Sequence, residues 1–364
     1  MPFDRGSISF TIFKLPQKLP ENYIELFSSK SAGILDEVAE EPQVGWVTGR
    51  HLLDNDINED SAMCGGHLYL NLRKAERKIP GALLNAICKR EELIWMAANN
   101  ADRIPRKVKK EIKEEQIEKY LMKMPPYISG LPFVVDLAAD ILYLGTASQN
   151  QIDDFVIFFK QTVGIEPVQL HFEEQLNIHF QMKSYELPEL QLTEKVVDDE
   201  TIPARDFLTW LWFFAETTGG KLDNSRFSDF ELMVAGPMTL AFFMSAQGAT
   251  ETTVKKGLPE KSVEAKAALS SGKKLRKASV TIARGEDVWT TTFDADKFAF
   301  TGLRLPDGEA MEEHSKFDER IQNLYVFQEV FFEYFKEYVK FVTADDWEEK
   351  EKELKRWATE RESF

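Results

Sequence analysis

Cys64-Gly65-Gly66-His67 has the spacing of half a zinc site, since a thiolate and an imidazole three residues apart can share one metal ion. A complete site needs three or four ligands. The remaining histidines (His51, His171, His179 and His314) are scattered, and no second Cys/His pair follows. A Gly-Gly turn leading into a strand accounts for the motif better. Asp136 with Asp140, and Asp153 with Asp154, could serve as a nuclease carboxylate pair if a Glu and a Lys stood nearby. Aspartates at turns and helix starts also have an ordinary structural role. No GxxxxGK[ST], GxGxxG or GxSxG motif is present, so nucleotide binding and serine hydrolysis have no local support. The sequence therefore predicts a protein that is not an enzyme and carries neither metal nor cofactor.

The basic tracts are the sharper signal. Residues 103–110 (RIPRKVKK) hold five basic groups and no acidic one. On a helix starting near Pro105, Arg106, Lys109, Lys110 and Lys113 fall at i, i+3, i+4 and i+7, one face of the cylinder. Residues 255–277 carry Lys255, Lys256, Lys261, Lys266, Lys273, Lys274, Arg276 and Lys277 against only Glu260 and Glu264. Two readings stay open for such faces. They are phosphate-contacting surfaces, or they are solvated faces on which Glu111, Glu114, Glu115 and Glu118 merely form i,i+4 pairs.

Positioning these groups requires recognisable elements. Residues 6–15 alternate, with Ile8, Phe10 and Ile12 on one face, and predict a half-buried strand. The acidic stretch 54–62 reads as a loop before a strand at 67–72. Pro80 suits the first turn of a helix carrying Leu83, Leu84, Ile87, Ile94 and Trp95. A second helix, from about Pro105 to Met122, is too polar for a core and should project into solvent. Proline in MPPYISG (124–130) ends it. Strands follow at Phe133–Val135, Ile141–Leu144, Val168–Phe172 and Ile178–Met182. Between them lies a helix with Ser148 and Gln151 as a capping box and Gly164 as its stop. LTEKVVDDETIPARD (192–206) reads as a boundary between lobes. Then come an aromatic stretch (207–247), a basic helical stretch (259–277), a hairpin turning at RGED (284–287), a third strand at 298–303, and a long helix at 316–342.

Composition bounds the class. With 364 residues, 43% hydrophobic content and 27 Phe, the chain can bury a large core. LTWLWFFA (208–215) is its longest apolar run and is too short for a membrane helix, so no membrane partner is expected. Two cysteines and an opening MPFDRGSISF without a signal-like core predict a cytoplasmic protein. The net charge of −16 alone argues against nucleic acid, but binding follows local potential, and the charge here is segregated along the chain.

Several segments are similar in order and wording to the recombination-associated RdgC family. They are VGWV (44–47), HLYLNLR (67–73), RKIPGALLNA (77–86) with Ile79-Pro80, the cations Arg106–Lys113, and VVDLAADILYLGTAS (134–148) ending in Ala147-Ser148. Further along, Lys255-Lys256 precedes an S-x-E helix (Ser262–Ala265), followed by Gly272-Lys273, a hairpin, and a D-x-x-F region with Asp296 and Phe298. The resemblance implies a horseshoe-shaped subunit that closes into a ring-like homodimer around double-stranded DNA, restraining the recombinase RecA without catalysis. It also implies an acidic protein with a basic inner surface, in the cytoplasm and associated with the nucleoid. On matched positions it makes Lys255 and Lys256 the leading DNA contacts. Lys273, Lys274 and Arg276 beside the hairpin, and Arg106, Lys107, Lys109 and Lys110 on the arm, support them. MPPYISG would form the arm tip, with Tyr127 and Ile128 at the subunit contact. Gly257 stands where the family carries glutamine.

The expected architecture is α+β, with mixed or antiparallel sheets and a projecting charged helical arm. Its expected spans are 1–76 with 131–205 as a central region, 77–130 as arm and tip, 206–343 as a second lobe, and 344–364 as a charged tail. Two alternatives accompany the DNA reading. One is a protein-interaction module that uses the aromatic 207–250 surface to bind a nuclease or recombinase. The other is a metal-dependent nuclease using Asp136 or Asp153.

Overall fold

The computed structural model describes residues 2–193, 202–223, 225–242 and 249–364. The chain begins with β1 (Ile8–Lys14), α1 (Tyr23–Ser29), β2 (Gln43–Thr48), α2 (Glu59–Ala62), β3 (Met63–Cys64) and β4 (His67–Glu76). Two helices follow, α3 (Gly81–Ala98) and α4 (Arg106–Leu121), then β5 (Tyr127–Asp136), β6 (Ile141–Leu144), α5 (Gln149–Val163), β7 (Val168–Gln169) and α6 (Phe172–Phe180). The remainder comprises α7 (Pro203–Thr218), β8 (Glu231–Ala241), β9 (Glu251–Val254), α8 (Val263–Ser270), β10 (Lys274–Arg284), β11 (Asp287–Asp294), β12 (Ala299–Arg304), α9 (Glu313–Val342) and α10 (Trp347–Glu360). The protein is thus mixed helix and antiparallel sheet, an α+β fold, as its sequence predicts. None of the described helices is long and apolar enough to cross a membrane.

Two compact units divide the chain. One comprises Pro20–Met63 and Tyr69–Phe133, the other Met1–Leu19, Cys64–Leu68 and Val134–Phe364. These divisions differ from the spans read from sequence. The anticipated boundary at 192–206 falls inside the second unit, and residues 194–201 lie outside the described residues. Leu190 and Leu192, just before that segment, are buried, and the Leu190 amide donates to Asp206 Oδ2 at 3.0 Å.

In the first unit β4 lies between β2 and β5, with β2 antiparallel to it from Gln43↔Ala75 to Thr48↔Leu70. Phe27, Trp46 and Phe133 form its aromatic centre, with ring centroids 5.1–5.9 Å apart. The acidic stretch read as a loop contains the one-turn helix α2, because Asn58 and Ser61 cap each other's backbone N–H groups. Helices α3 and α4 run antiparallel as a hairpin that buries Ile87 and Ile112. Its charged outer surface stays in water, as so polar a helix must.

The second unit is a sheet ordered β6-β1-β12-β11-β10-β8-β9, with β7 also on β1. Flanked by β6 and β12, β1 is covered on both faces rather than half-buried; Thr11 and Phe13 are as buried as Phe10 and Ile12. Helix α9 presents Phe327, Phe331 and Phe335 at helical spacing to this unit's core. Phe331 lies 5.0 Å from both Phe293 and Phe300, and Phe207 sits 5.6 Å from it.

Three sequence readings change here. Residues 172–180 form helix α6 rather than part of two strands; only Val168–Gln169 pairs as β7. Glu173 and Glu174 in the first turn favour that helix through its dipole. Ser148 is the N-cap of α5 but makes no side-chain cap bond; Gln151 Oε1 instead accepts from Thr146 Oγ1 at 2.5 Å. Finally, α7 is no partner surface. Every residue from Ala204 to Phe213 is buried, so this part of the aromatic stretch is interior, while residues 243–248 lie outside the described residues.

Candidate nucleic-acid interface

The paired lysines follow β9, whose register against β8 runs from Met238↔Val254 to Ala241↔Glu251. Beyond Val254 the chain turns sharply, because Lys256 and Gly257 both adopt left-handed backbone conformations (φ +67° and +69°). Gly257 takes that conformation without penalty; an L residue at 256 pays for it. Lys255, Lys256 and Leu258 are exposed, and Pro259 is buried at the start of the 3-10 turn Pro259–Lys261. Neither lysine has an ion-pair partner among the described residues. Ser262 then caps α8, its Oγ accepting from the Ala265 amide at 3.1 Å.

The cations beside the hairpin have different surroundings. Lys273 is 7% exposed; its Nζ donates to Thr252 Oγ1 at 2.7 Å and lies 5.4 Å from the Phe242 ring centroid. Lys274 Nζ is 2.6 Å from Asp206 Oδ1 and 3.3 Å from Glu189 Oε1. Arg276 pairs with Glu251 and approaches Asp296 at 4.0 Å, and Lys277 pairs with Asp294 at 3.2 Å. Lys274 and Arg276 are thus ion-paired to carboxylates of the same chain, and Lys273 is buried against a hydroxyl and an aromatic ring, so the three cations expected to support DNA contact already have protein partners. Five of those acceptors (Glu189, Asp206, Glu251, Asp294 and Asp296) are remote in sequence or across a strand, so no local pattern announces them.

On the arm, Arg106, Lys107, Lys109, Lys110 and Lys113 are all exposed on α4. Lys107–Glu111 (3.8 Å) and Lys110–Glu114 (3.5 Å) are solvent-exposed i,i+4 pairs, worth little and easily exchanged for a phosphate. Lys109 reaches Glu92 of α3 at 3.6 Å and braces the hairpin. Arg106 and Lys113 have no ion-pair partner among the described residues.

Tyr127 is 64% exposed and Ile128 half-buried, both at the start of β5. They are not at the arm tip. Arg77, just before α3, donates to the carbonyls of Met122 and Met124 and to that of Val38 (2.6 Å), which fixes MPPYISG at the root of the hairpin. The tip is the turn 99–105, where Asn100 is left-handed (φ +48°) and Arg103 is exposed. The polar run Asn99–Arg103 between two helical patterns was the signal for it. The arm cations and the paired lysines belong to different compact units.

The other candidate groups have structural partners. Asp136 Oδ1 accepts from the amides of Ala138 (2.9 Å) and Ala139 (3.0 Å), and Asp153 accepts from Gln149 Nε2 at 2.8 Å. His67 Nδ1 lies 2.8 Å from the Gly65 carbonyl. His171 is the N-cap of α6 and His179 lies in its last turn. Among the described residues no three His, Cys, Asp or Glu side chains gather as a metal ion requires.

These features define an α+β protein that exposes a pair of lysines without ion pairs among the described residues at the bend after β9 and a run of exposed cations on one helical hairpin. Residues 26–183 match the model of a family described as "Putative exonuclease, RdgC", to which this part of the chain is similar. The match spans the arm with Arg106, Lys107, Lys109, Lys110, Tyr127 and Ile128, and ends before the paired lysines. No protein of curated function matches the chain.

Proposed function

We propose that the protein is a sequence-nonspecific double-stranded DNA-binding regulator of homologous recombination. It acts without catalysis, as a ring-shaped homodimer associated with the nucleoid, and limits access of the recombinase RecA to DNA. The carrying observation is the turn Lys255–Lys256, two exposed lysines with no carboxylate partner among the described residues of a chain of net charge −16. The exposed cations of α4 supply a second contact set, and the match of residues 26–183 to the RdgC family model supports the recombination setting. Phosphate contacts of this kind position a protein on duplex DNA without reading sequence.

A salt titration of purified protein on linear and covalently closed duplex, with mass measured in parallel, tests this reading. A dimer whose affinity falls steeply with salt is expected, with faster loss from linear ends. Lys255→Glu with Lys256→Glu should weaken binding to all duplex sequences alike and reduce the salt slope by about one per lost contact. No binding at low salt would overturn the DNA reading.

The family's description favours one second reading, an exonuclease. It requires DNA degradation that a chelator abolishes and that Asp136→Ala or Asp153→Ala removes.

A further inference from the structure

The charged tail is a folded helix, and its end reaches the segment that follows the paired lysines. Arg361, just past α10, is 7% exposed. Its guanidinium stacks 3.9 Å from the Trp212 ring centroid and lies 5.1 Å from that of Trp357. The two indoles meet edge-to-face with centroids 5.3 Å apart. Glu216 ties the cluster together, accepting from Trp212 Nε1 (3.2 Å), Trp357 Nε1 (2.8 Å) and Arg361 Nη2 (2.5 Å). Arg361 Nε and Nη1 are buried without hydrogen bonds, so the stacking faces and Glu216 compensate its desolvation.

From this socket the tail grips the stretch 260–270. Arg361 Nη2 also donates to the Glu260 carbonyl, and the Phe364 amide donates to the Lys261 carbonyl at 3.0 Å. In return Lys266 Nζ donates to the Arg361 carbonyl at 2.8 Å. On its other side the 3-10 turn presses against β8, where a Cβ on Gly236 would stand only 2.1 Å from the Pro259 ring. Only Lys255–Leu258 separates this clamped turn from Val254, which is paired in the sheet.

We propose that the C-terminal segment Trp347–Phe364 is a strap that fixes the presentation of the Lys255–Lys256 turn, with Arg361 as its positioning residue. The inference rests on the DNA-contact reading of those lysines. With its far end held by the strap, the four-residue turn keeps both ammonium groups outward; with the strap released, the lysines remain present but lose their fixed geometry.

The test uses the full-length chain with Arg361→Ala, Arg361→Lys, Lys255→Ala/Lys256→Ala, and the combined triple variant. Two quantities are read: the salt slope of duplex binding, and amide exchange at Lys261 and Ser262, which bond to Leu258 and Pro259. Arg361→Ala should lower the slope by about one to two and speed exchange at both amides, with Arg361→Lys intermediate. The triple variant should bind like the lysine double variant, since the strap acts only through those lysines. An unchanged slope with unchanged exchange overturns the strap, and so does a loss that adds in full to that of the lysine variant. If the lysine variant itself binds normally, the DNA-contact reading fails while the exchange result still decides the strap. Should Arg361→Ala not fold, Arg361→Lys and Glu216→Gln carry the same comparison.

Discussion

Lys274 Nζ lies 2.6 Å from Asp206 Oδ1, and the two side chains are only 12% and 3% exposed. Asp206 lies in the buried stretch of α7 and also accepts the Leu190 amide, so one carboxylate joins a helix, a strand and the segment before the helix. Burial pushes the Asp206 carboxyl above its ordinary range, against the opposing pull of Lys274. Removing one partner strands the other. Asp206→Ala is expected to destabilise the protein by about 3 kcal/mol, measured by urea unfolding. Asp206→Asn, which keeps the acceptor for Leu190, should cost about 1–2 kcal/mol.

Lys256 occupies a backbone conformation that suits glycine. Lys256→Gly is therefore expected to raise stability by about 0.5–1 kcal/mol while lowering the salt slope of duplex binding by about one. Gains and losses in opposite directions at one position would mark a residue kept for contact rather than for folding. Equal stability of variant and parent in urea would remove that interpretation.

The arm cations should behave as a separate set. Arg106→Ala, Lys107→Ala and Lys110→Ala together are expected to leave the melting temperature within about 2 °C of the parent, because the ion pairs of Lys107 and Lys110 are solvent-exposed and Arg106 has none among the described residues. The salt slope should fall by about two to three. Lys109→Ala should instead loosen α4 on α3, since it alone of the four pairs with Glu92. Faster amide exchange along α4 would report it.

Two histidines set a pH limit. Burial holds His171 and His179 below the ordinary value of 6.5, and at His179 the positive charge of Lys336 adds to the effect. The unfolded chain therefore takes up these protons at a higher pH than the folded protein does. Stability is present above about 6.5 and is lost as pH falls from there through the folded values. The melting temperature should decline over that interval. His171→Gln with His179→Gln should flatten the decline; an unaltered profile would assign it to other groups.

What the sequence makes legible follows from the range of the interactions involved. The arm helix, the β10–β11 hairpin and α9 rest on periodicity and turn chemistry; the two helices appear within three residues of their expected bounds, whereas β10 starts at Lys274, inside the stretch 259–277 expected to be helical, where α8 spans only Val263–Ser270. Helix α6 is not legible in the sequence, because HFEEQLNIHF holds too few apolar residues to separate helix from strand spacing. The fate of Lys273, Lys274 and Arg276 was hidden for a different reason. Their partners arrive from α7, from the segment before it, and from neighbouring strands, and a run of cations reads the same whether acids will meet it or not. Arg361 offered no signal at all: its socket is built from Trp212, Glu216 and Trp357, which are brought together only by the tertiary fold.

The place of β1 between β6 and β12 has a consequence for biosynthesis. Ile8 leaves the ribosome well ahead of its partner Leu303, which is made roughly 300 residues later. At about 5–20 residues per second, that strand edge waits some 15–60 seconds for its neighbour. During this interval its apolar face and unpaired amides are open to other nascent chains. Yield in the cell should therefore depend on translation speed and on chaperone supply more than the stability of the finished sheet would suggest.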